Sequence, residues 1–318
     1  MRVVVTGGAG FIGGNLCREL TARPGVDKVI ALDDLSTGRI ENLDGSGAEL
    51  IKGSILDQGL LAEVVADADA VVHLAARPSI PRSLAAPVAS HHANATGTLL
   101  LLEACRPNSV HVVAASSSSV YGATPDLPKH EDLPTRPLNP YGASKLAAEA
   151  YVLAYGASFG LPVLPLRFFN VYGPLQSAGH AYSAVIPRFI DAALRGEPLV
   201  VHGDGLQTRD FTYVGTVVAM LADAVLHRVT SARPVNLAFG TRVSILELTE
   251  RLSALLGRPV ELVHVPPRTG DVRDSQAADA RLRRLFPRVG AVPLDTGLER
   301  TVAWFRDRTA SPRDPAMP

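Results

Sequence analysis

The chain opens on Arg2–Thr6 (RVVVT), which runs directly into Gly7–Gly13 (GGAGFIG). The first segment has the continuous β-branched character of a buried strand, and residues 15–22 are typical of a helix. Glycines spaced G-x-x-G-x-x-G between a strand and a helix allow a tight turn whose backbone N–H groups approach a pyrophosphate. The pattern therefore predicts a dinucleotide-binding unit at the very start of the chain.

A second apolar strand, predicted over residues 28–32, ends in Asp33-Asp34, twenty residues after Gly13. A carboxylate there can bind the ribose hydroxyls of adenosine and would repel a 2′-phosphate, so Asp33 favours NAD over NADP. The alternative is a glycine-rich turn without a ligand. It leaves the order of strand, turn, helix and acid unexplained.

A second block reads Ser116–Gly122 (SSSSVYG), followed by Tyr141–Lys145 (YGASK). Tyr141 and Lys145 are four residues apart, so they share one face of a helix. A nearby ammonium stabilises an ionised phenol, whose pKa is ordinarily near 10. The pair predicts that Lys145 lowers the pKa of Tyr141 and that Tyr141 accepts a proton at neutral pH.

Together the two blocks resemble the extended short-chain dehydrogenase/reductase family, in its NAD-dependent epimerase/dehydratase branch, and within it the UDP-hexose 4-epimerases. The resemblance covers residues 1–306 and includes four further stretches: DDLSTG (33–38), VHLAA (72–76), RFFNVYGP (167–174) and QTRDFTYV (207–214). It implies an α/β fold with a Rossmann-type doubly wound parallel sheet of about seven strands. It also implies a smaller, non-contiguous α/β domain for the nucleotide sugar.

Strands and helices alternate along the chain, as a parallel sheet covered on both faces requires. Further strands are predicted at 49–52, 70–74, 110–115, 163–167, 199–202, 235–238 and 260–265. Helices are predicted at 58–65, 88–104, 141–158, 184–195, 216–227 and 245–256, with Asn139-Pro140 starting the helix of Tyr141. We expect the NAD-binding domain at 1–169 plus about 210–240, the sugar-binding domain at about 170–209 plus 241–307, and a disordered tail at 308–318.

The composition fits a cytoplasmic enzyme. The 318 residues hold 31 Lys and Arg against 31 Asp and Glu, so no overall charge points to nucleic acid or to a membrane surface. No apolar run is long enough to span a membrane. Cys17 and Cys105 lack paired spacing and are expected as reduced core thiols, and the nine histidines form no metal-binding pattern.

The resemblance implies roles for individual residues. Expected contacts to NAD are Gly7, Gly10, Phe11, Ile12, Gly13, Asp33, Ile55, Asp57, Leu74, Ala75, Ala76, Asn94, Tyr141 and Lys145. Expected contacts to the UDP-sugar are Arg77, Ser117, Ser118, Tyr141, Asn170, Arg188, Arg209, Arg268 and Asp271. Ser117, Tyr141 and Lys145 are the expected catalytic residues, with Ser117 donating a hydrogen bond to the reacting oxygen.

The residues after Ser117 separate the reactions of this branch. Relatives that dehydrate a 4-keto sugar carry Thr-Asp-Glu at the positions of Ser117, Ser118 and Ser119 in this chain. Relatives that decarboxylate a uronic acid carry Glu at the last of these positions. A hydroxyl cannot do this carboxylate work at pH 7. Oxidation, rotation and re-reduction at C4 then remain, which is 4-epimerisation.

Three residues bear on the identity of the sugar. Ser275 stands where relatives restricted to plain hexoses carry tyrosine, which leaves room for an acetamido group, and Ser177 and Asn170 depart from relatives that act on UDP-glucuronate. A neutral UDP-hexose is therefore the first expectation and UDP-glucuronate the second; UDP and dTDP are not distinguished. A dinucleotide-binding regulator without catalysis is the remote alternative, which the Tyr–Lys pair disfavours. By resemblance we expect a homodimer joined by a four-helix bundle of residues 88–104 and 141–158.

Overall fold

The computed structural model of the protein describes residues 1–179, 183–267 and 272–310. The strands are β1 (Arg2–Thr6), β2 (Lys28–Asp33), β3 (Glu49–Lys52), β4 (Ala70–His73), β5 (His111–Ser117), β6 (Val163–Phe168), β7 (Asn170–Tyr172), β8 (Leu199–His202), β9 (Thr208–Arg209), β10 (Phe211–Tyr213), β11 (Val235–Leu237), β12 (Val243–Ser244) and β13 (Leu262–Val265). The α-helices are α1 (Phe11–Thr21), α2 (Gln58–Val65), α3 (Ile80–Ala85), α4 (Pro87–His91), α5 (Gly97–Cys105), α6 (Pro140–Phe159), α7 (Val185–Arg195), α8 (Val214–Leu226), α9 (Ile245–Leu256), α10 (Ala280–Leu285) and α11 (Leu294–Ala310).

Seven of these strands form one parallel sheet in the order β11-β6-β5-β4-β1-β2-β3, which confirms the predicted Rossmann-type fold. Val4 at the centre of β1 pairs with Ile30 of β2 and with Val71 of β4. The strand order reverses between β1 and β4, because β2 and β3 continue to one side and β5 and β6 to the other. The crevice beyond the carboxyl ends of β1 and β4 is therefore the place where this fold binds ligands.

Burial of side chains on both faces of the sheet explains why the centre of β1 is apolar. Val3 and Val5 belong to the core on one face of the sheet, and Val4 belongs to the core on the other face. Helices α1 and α8 pack together on the first face, and α2, α5 and α6 cover the second. A strand buried on both sides needs a continuous apolar run, which the three valines at positions 3–5 supply.

Helix α6 starts where the sequence predicts. Asn139 is its N-cap, and the side chain accepts a hydrogen bond of 2.9 Å from the backbone N–H of Gly142. Pro140 occupies the first turn, where its missing N–H costs nothing. This start places Tyr141 in the first turn, beside the carboxyl end of β5.

Within the described residues, the other strands form three two-stranded sheets: β7 with β10, β8 with β13, and β9 with β12. The last two sheets join residues 199–209 to residues 243–265, as a non-contiguous second domain would. The parallel β7–β10 pair joins residues on either side of the boundaries expected from the sequence. Those boundaries remain predictions.

Two predicted elements need correction. The helix expected at 88–104 is three consecutive stretches, because a π-helical turn at His92–Thr96 separates α4 from α5. Residues 308–310, expected in the disordered tail, continue α11, and the Arg308 guanidinium lies 5.0 Å from the centre of the Trp304 ring one turn earlier. Residues 311–318 lie outside the described residues.

Candidate active site

The glycine turn after β1 is built by close backbone approach. Gly7 has φ of +70°, and a Cβ there would lie 2.8 Å from the backbone nitrogen of Ala75. A Cβ on Gly13 would overlap the carbonyl oxygen of Gly7. Helix α1 then starts after Gly10, which provides no side-chain cap, so the first-turn N–H groups stay available to an anion. This cradle fits the pyrophosphate of a dinucleotide.

Asp33 joins the glycine turn to the loop after β2. Its two carboxylate oxygens accept backbone hydrogen bonds from Ala9 (3.0 Å) and from Leu35 (2.8 Å). Burial raises the pKa of Asp33, and these hydrogen bonds oppose the rise. Each oxygen keeps a second lone pair that a ribose hydroxyl can use. The geometry is compatible with the expected role in binding NAD.

Other residues predicted at the cofactor site take different positions. Leu74, Ala75 and Ala76 directly follow β4 at the strand-order reversal. Ile55 is buried and faces Gly97 on α5. Asp57 caps α2, where its side chain accepts a 3.0 Å hydrogen bond from Leu60, so its expected contact with adenine remains a prediction.

A buried hydrogen-bond chain that the sequence did not reveal supports the turn. The Nδ1 atom of His73 lies 2.7 Å from the Thr6 hydroxyl, and Nε2 lies 2.9 Å from the Thr98 hydroxyl. Because Thr98 donates its proton to the Asn94 carbonyl, it must accept from His73, which places the ring proton on Nε2. Burial and then the charge of Lys145 lower the pKa of His73 to about 3.

The Asn94 side chain is part of the same support. It accepts a 2.7 Å hydrogen bond from the backbone of Arg77 and donates one of 2.9 Å to the Ser144 hydroxyl. Ser144 in turn donates to the carbonyl of Tyr141 at 2.8 Å. Asn94, expected near the nicotinamide, therefore fixes the start of α6. Asn94 lies in a π-helical turn, and such turns are frequently found at functional sites.

The three predicted catalytic residues come together at the end of β5. Ser117 is the last residue of that strand, and its hydroxyl is hydrogen-bonded to the Tyr141 phenol. The Lys145 amine, one turn along α6, donates a 2.7 Å hydrogen bond to the carbonyl of Ala115. The helix thus presents a phenol and an amine to the last residues of one strand.

The expected effect of Lys145 on Tyr141 is wrong for the protein by itself. Burial raises the pKa of Tyr141, and the Ser117 hydrogen bond is what opposes the rise. Burial also lowers the pKa of Lys145 to about 8, so the amine is still mostly charged at pH 7. The Lys145 amine is engaged by a carbonyl instead.

A cleft of about 160 Å³ lies next to this group. Three predicted substrate residues line it, namely Ser118, Asn170 and Arg209, and so does Ser275. The remaining lining residues are Ile80, Ser119, Tyr121, Gly122, Lys129, Leu138, Asn139, Phe169, Val272 and Asp274. The lining combines polar side chains with two buried aromatic residues, Tyr121 and Phe169, which are 1 % and 7 % exposed.

Several predicted substrate residues lie elsewhere. Arg77 is exposed after β4, and Arg188 is a half-buried residue of α7; neither lines the cleft. Arg268 and Asp271 lie outside the described residues. Arg209 donates to the carbonyls of Thr208 (2.8 Å) and Arg273 (2.9 Å), which holds its side chain along the cleft wall.

Two charged cleft residues were missed. Lys129 is 7 % exposed, and its amine donates to the carbonyl of Thr124. Burial lowers the pKa of Lys129. Asp274 accepts a 2.6 Å hydrogen bond from Thr208 and lies 3.6 Å from the Arg242 guanidinium. Neither residue belongs to a periodic pattern, so the sequence carried no signal for them.

Residues 1–179, 183–267 and 272–310 contain no group of three or more His, Cys, Asp or Glu side chains that could hold a metal ion. None of their helices is both long enough and apolar enough to cross a membrane.

The chain is similar in sequence and in fold to several known proteins. The chain is 37% identical to a UDP-glucose 4-epimerase of Mycolicibacterium smegmatis, over 97% of this chain and 100% of that protein. A UDP-N-acetylglucosamine 4-epimerase from Methanobrevibacter ruminantium M1, solved with UDP-N-acetylmuramic acid, superposes with a TM-score of 0.89 at 36% identity, covering 96% of this chain and 98% of that one. A UDP-glucuronic acid 4-epimerase from Bacillus cereus, solved with UDP-glucuronic acid and NAD, gives 0.87 at 31% identity, covering 97% and 100%.

Relatives with other reactions are similar to a comparable degree. A UDP-N-acetyl-alpha-D-glucosaminuronate decarboxylase of Bacillus cytotoxicus is 34% identical over 96% of this chain and 98% of its own length. A dTDP-glucose 4,6-dehydratase of Streptomyces niveus is 33% identical over 98% and 94%. Residues 3–238 match the model of the NAD dependent epimerase/dehydratase family. The chain therefore belongs to the NAD dependent epimerase/dehydratase family; it is an enzyme, and its cofactor is NAD.

Proposed function

We propose that the protein is a UDP-sugar 4-epimerase, which oxidises C4 of the sugar, lets the 4-keto sugar rotate and reduces it on the opposite face. The observation that carries this proposal is the chemistry next to Tyr141. Ser118 and Ser119 of the cleft offer hydroxyls where a dehydratase or decarboxylase needs carboxylates. Asp274, the carboxylate among the lining residues, is held by Thr208 and Arg242.

The residues of the site supply the proton steps. Tyr141 takes the proton of the C4 hydroxyl during oxidation and returns it to O4 during reduction, so the phenol is unchanged after each cycle. Ser117 donates a hydrogen bond that lowers the pKa of Tyr141 and can also stabilise charge on O4. When bound, NAD supplies a hydride acceptor and, in its oxidised form, a positive charge that favours an ionised phenol.

The sugar that best suits the cleft is a neutral UDP-hexose, either the glucose/galactose pair or the N-acetylated pair. Ser275 is small, 7 % exposed and lines the cleft, which leaves room for a 2-acetamido group. The M. ruminantium relative acts on an N-acetylated sugar, and the M. smegmatis relative acts on UDP-glucose. Both activities fit within the proposed class.

UDP-glucuronate is the second candidate, and Lys129 is the observation that favours it. This buried amine lines the cleft and has a carbonyl rather than a carboxylate as its hydrogen-bond partner. A sugar carboxylate at C6 would complete an ion pair with it. The B. cereus relative is similar to this chain and binds that sugar.

Separate incubations with UDP-glucose, UDP-N-acetylglucosamine and UDP-glucuronate test both candidates, with the C4 configuration of each product read by proton NMR. Turnover of either neutral sugar to its C4 epimer is the expected result. Turnover of the uronate alone would reverse the ranking. Release of water or of carbon dioxide from any of them would refute epimerisation.

Homodimer formation is part of the same proposal. Large apolar side chains are exposed on the two helical segments expected at the interface, namely Val88 (66 %) and Tyr151 (41 %), and Phe159 (54 %) follows directly at the end of α6. Apolar groups at this exposure are the kind that dimer interfaces cover. Sedimentation velocity should show twice the chain mass, and a monomer at micromolar concentration would refute it.

A further inference from the structure

A buried ion pair lies directly behind the catalytic group. The side chains of Glu149 and Arg167 are 3 % and 4 % exposed, and their closest atoms are 2.6 Å apart. Arg167 donates from Nη2 to one carboxylate oxygen of Glu149 and from Nε, at 2.9 Å, to the other. This two-pronged geometry is the strongest form of a carboxylate–guanidinium contact.

The pair belongs to the face of α6 that carries the chemistry. Tyr141, Lys145 and Glu149 follow each other at intervals of four residues, so all three project from one side of the helix. Lys145 is bonded to the carbonyl of Ala115. Glu149 accepts a 2.6 Å hydrogen bond from the hydroxyl of Ser116. Two successive turns of α6 are therefore tied to the two residues that precede Ser117.

Arg167 extends the attachment to the wall of the cleft. It pairs with Ser116 in the β5–β6 ladder, so the guanidinium and the Ser116 hydroxyl reach Glu149 from adjacent strands. The guanidinium also lies 4.7 Å from the centre of the Tyr121 ring and donates to the carbonyl of Glu131 at 3.3 Å. The Arg167 guanidinium thus contacts α6 and the cleft-lining ring of Tyr121, while its own strand pairs with β5.

Stability alone is a poor explanation of this arrangement. Taking both charges out of water is costly, and apolar side chains of similar volume are often at least as stabilising as a buried ion pair. An ion pair adds directional contacts, since three hydrogen bonds hold Glu149 in a single geometry. Apolar packing would allow α6 to slide or rotate on β5.

We infer that Glu149 and Arg167 are positioning residues for the reaction, which hold the Tyr141 phenol at the Ser117 hydroxyl by fixing α6 on β5. The inference rests on the proposed epimerisation for its kinetic readout. A misplacement of about 1 Å at a reacting group can cost roughly 100-fold in rate. Asn170 and Arg209 donate hydrogen bonds to the backbone carbonyls of Asp210, Thr208 and Arg273, so substrate binding should change less than turnover.

The experiment compares four variants of the full-length protein with the wild type. E149Q removes one charge and leaves Arg167 unpaired. E149L/R167M replaces both charges by apolar groups, and S116A removes a single hydrogen bond. R251Q is the matched control, since it breaks an ion pair between exposed side chains, Arg251 and Asp295. The melting temperature, kcat and KM are measured for each, with the UDP-sugar that the wild type turns over.

We expect E149Q to lower both the melting temperature and kcat. The double variant should regain stability while kcat stays roughly 10- to 100-fold below the wild type, with KM within about fivefold. R251Q should match the wild type in melting temperature and in kcat. A double variant with wild-type stability and wild-type kcat would overturn the inference. If the double variant does not fold, S116A decides, because an unchanged kcat there would equally overturn it.

A crystal structure of the double variant separates this inference from the proposed function. Should the wild type turn over no UDP-sugar, the proposed function fails and the structure still answers the positioning question. Displacement of Tyr141 from Ser117 would support the role of Glu149 and Arg167. An intact hydrogen bond between Tyr141 and Ser117 would contradict it.

Discussion

The glycine cradle and the substrate cleft lie side by side but are built in opposite ways. The cradle uses the backbone of the glycine turn after β1, with Gly7 and Gly13, and the Asp33 carboxylate at the end of β2, all inside one short stretch of chain. The cleft uses side chains from segments spread between Ile80 and Ser275. Backbone recognition demands particular residues at particular spacings, whereas a side-chain cleft can be assembled from any segments that the fold brings together. The residues of the cradle therefore indicate the family, and the residues of the cleft bear on the substrate.

The largest effect should come from Tyr141→Phe, which breaks the cleft chemistry and leaves the cradle intact. Removing the hydroxyl removes the proton acceptor, and we expect kcat to fall by roughly 10²- to 10⁴-fold. The amount of NAD that copurifies should stay the same. Steady-state rates and extraction of the bound nucleotide measure the two quantities. A variant with an unchanged rate would show that another group takes the proton.

Gly13→Ala makes the reverse test, since it damages the cradle and spares the cleft. The new methyl group would overlap the carbonyl oxygen of Gly7, so the turn must shift. We expect a loss of about 1–3 kcal/mol in the free energy of unfolding and a protein that no longer retains NAD. Gly290→Ala is the control, because nothing lies within 4 Å of its Cβ position. Equal NAD content in both variants would contradict the assignment of the cradle.

A pH dependence should come from the support beneath the cradle. The pKa of His73 is lowered from 6.5 to about 3 by burial, so the unfolded chain binds a proton there that the folded protein does not. The stability that His73 contributes is therefore complete above pH 6.5 and is lost as the pH falls toward 3. Its contribution to the slope is at most about 1.4 kcal/mol per pH unit. Urea unfolding at several pH values should give a flatter dependence for His73→Gln than for the wild type.

The smallest effect, and the sharpest for the sugar, should come from Ser275→Tyr. A bulky ring at this buried cleft position would fill the room proposed for an acetamido group. We expect turnover of UDP-N-acetylglucosamine to fall by roughly 10-fold or more relative to UDP-glucose in the same variant. Competition between the two sugars measures that ratio directly. Equal losses for both would place the acetamido group elsewhere.

The contrast between the two regions also explains what the sequence could predict. The start of α6 could be predicted because Asn139 and Pro140 act locally. The pairing of Tyr141 with Lys145 follows from helix geometry. The π-helical turn at His92–Thr96 was not predicted; within it, Asn94 is hydrogen-bonded to Ser144, which is distant in the sequence. The pair of Glu149 with Arg167 was not predicted, because the two residues are brought together only by the packing of α6 on the sheet.

The cleft shows the same limit. Ser118, Asn170 and Arg209 were found through motifs, whereas Lys129 and Asp274 carry no motif and were missed. Arg77 and Arg188 were expected at the substrate and do not line the cleft, because sequence alone does not tell which arginine of a loop or helix points inward. The sign of the pKa change at Tyr141 was also beyond the sequence, since it depends on burial.

The most direct measurement follows an isotope through the reaction. UDP-glucose or UDP-N-acetylglucosamine carrying deuterium at C4 is incubated with the protein, and the product is examined by NMR. Oxidation and re-reduction at one carbon predict the C4 epimer with deuterium still at C4, because the hydride that leaves is the one that returns. A product that has lost water, or an epimer whose deuterium has exchanged with solvent, would contradict the account.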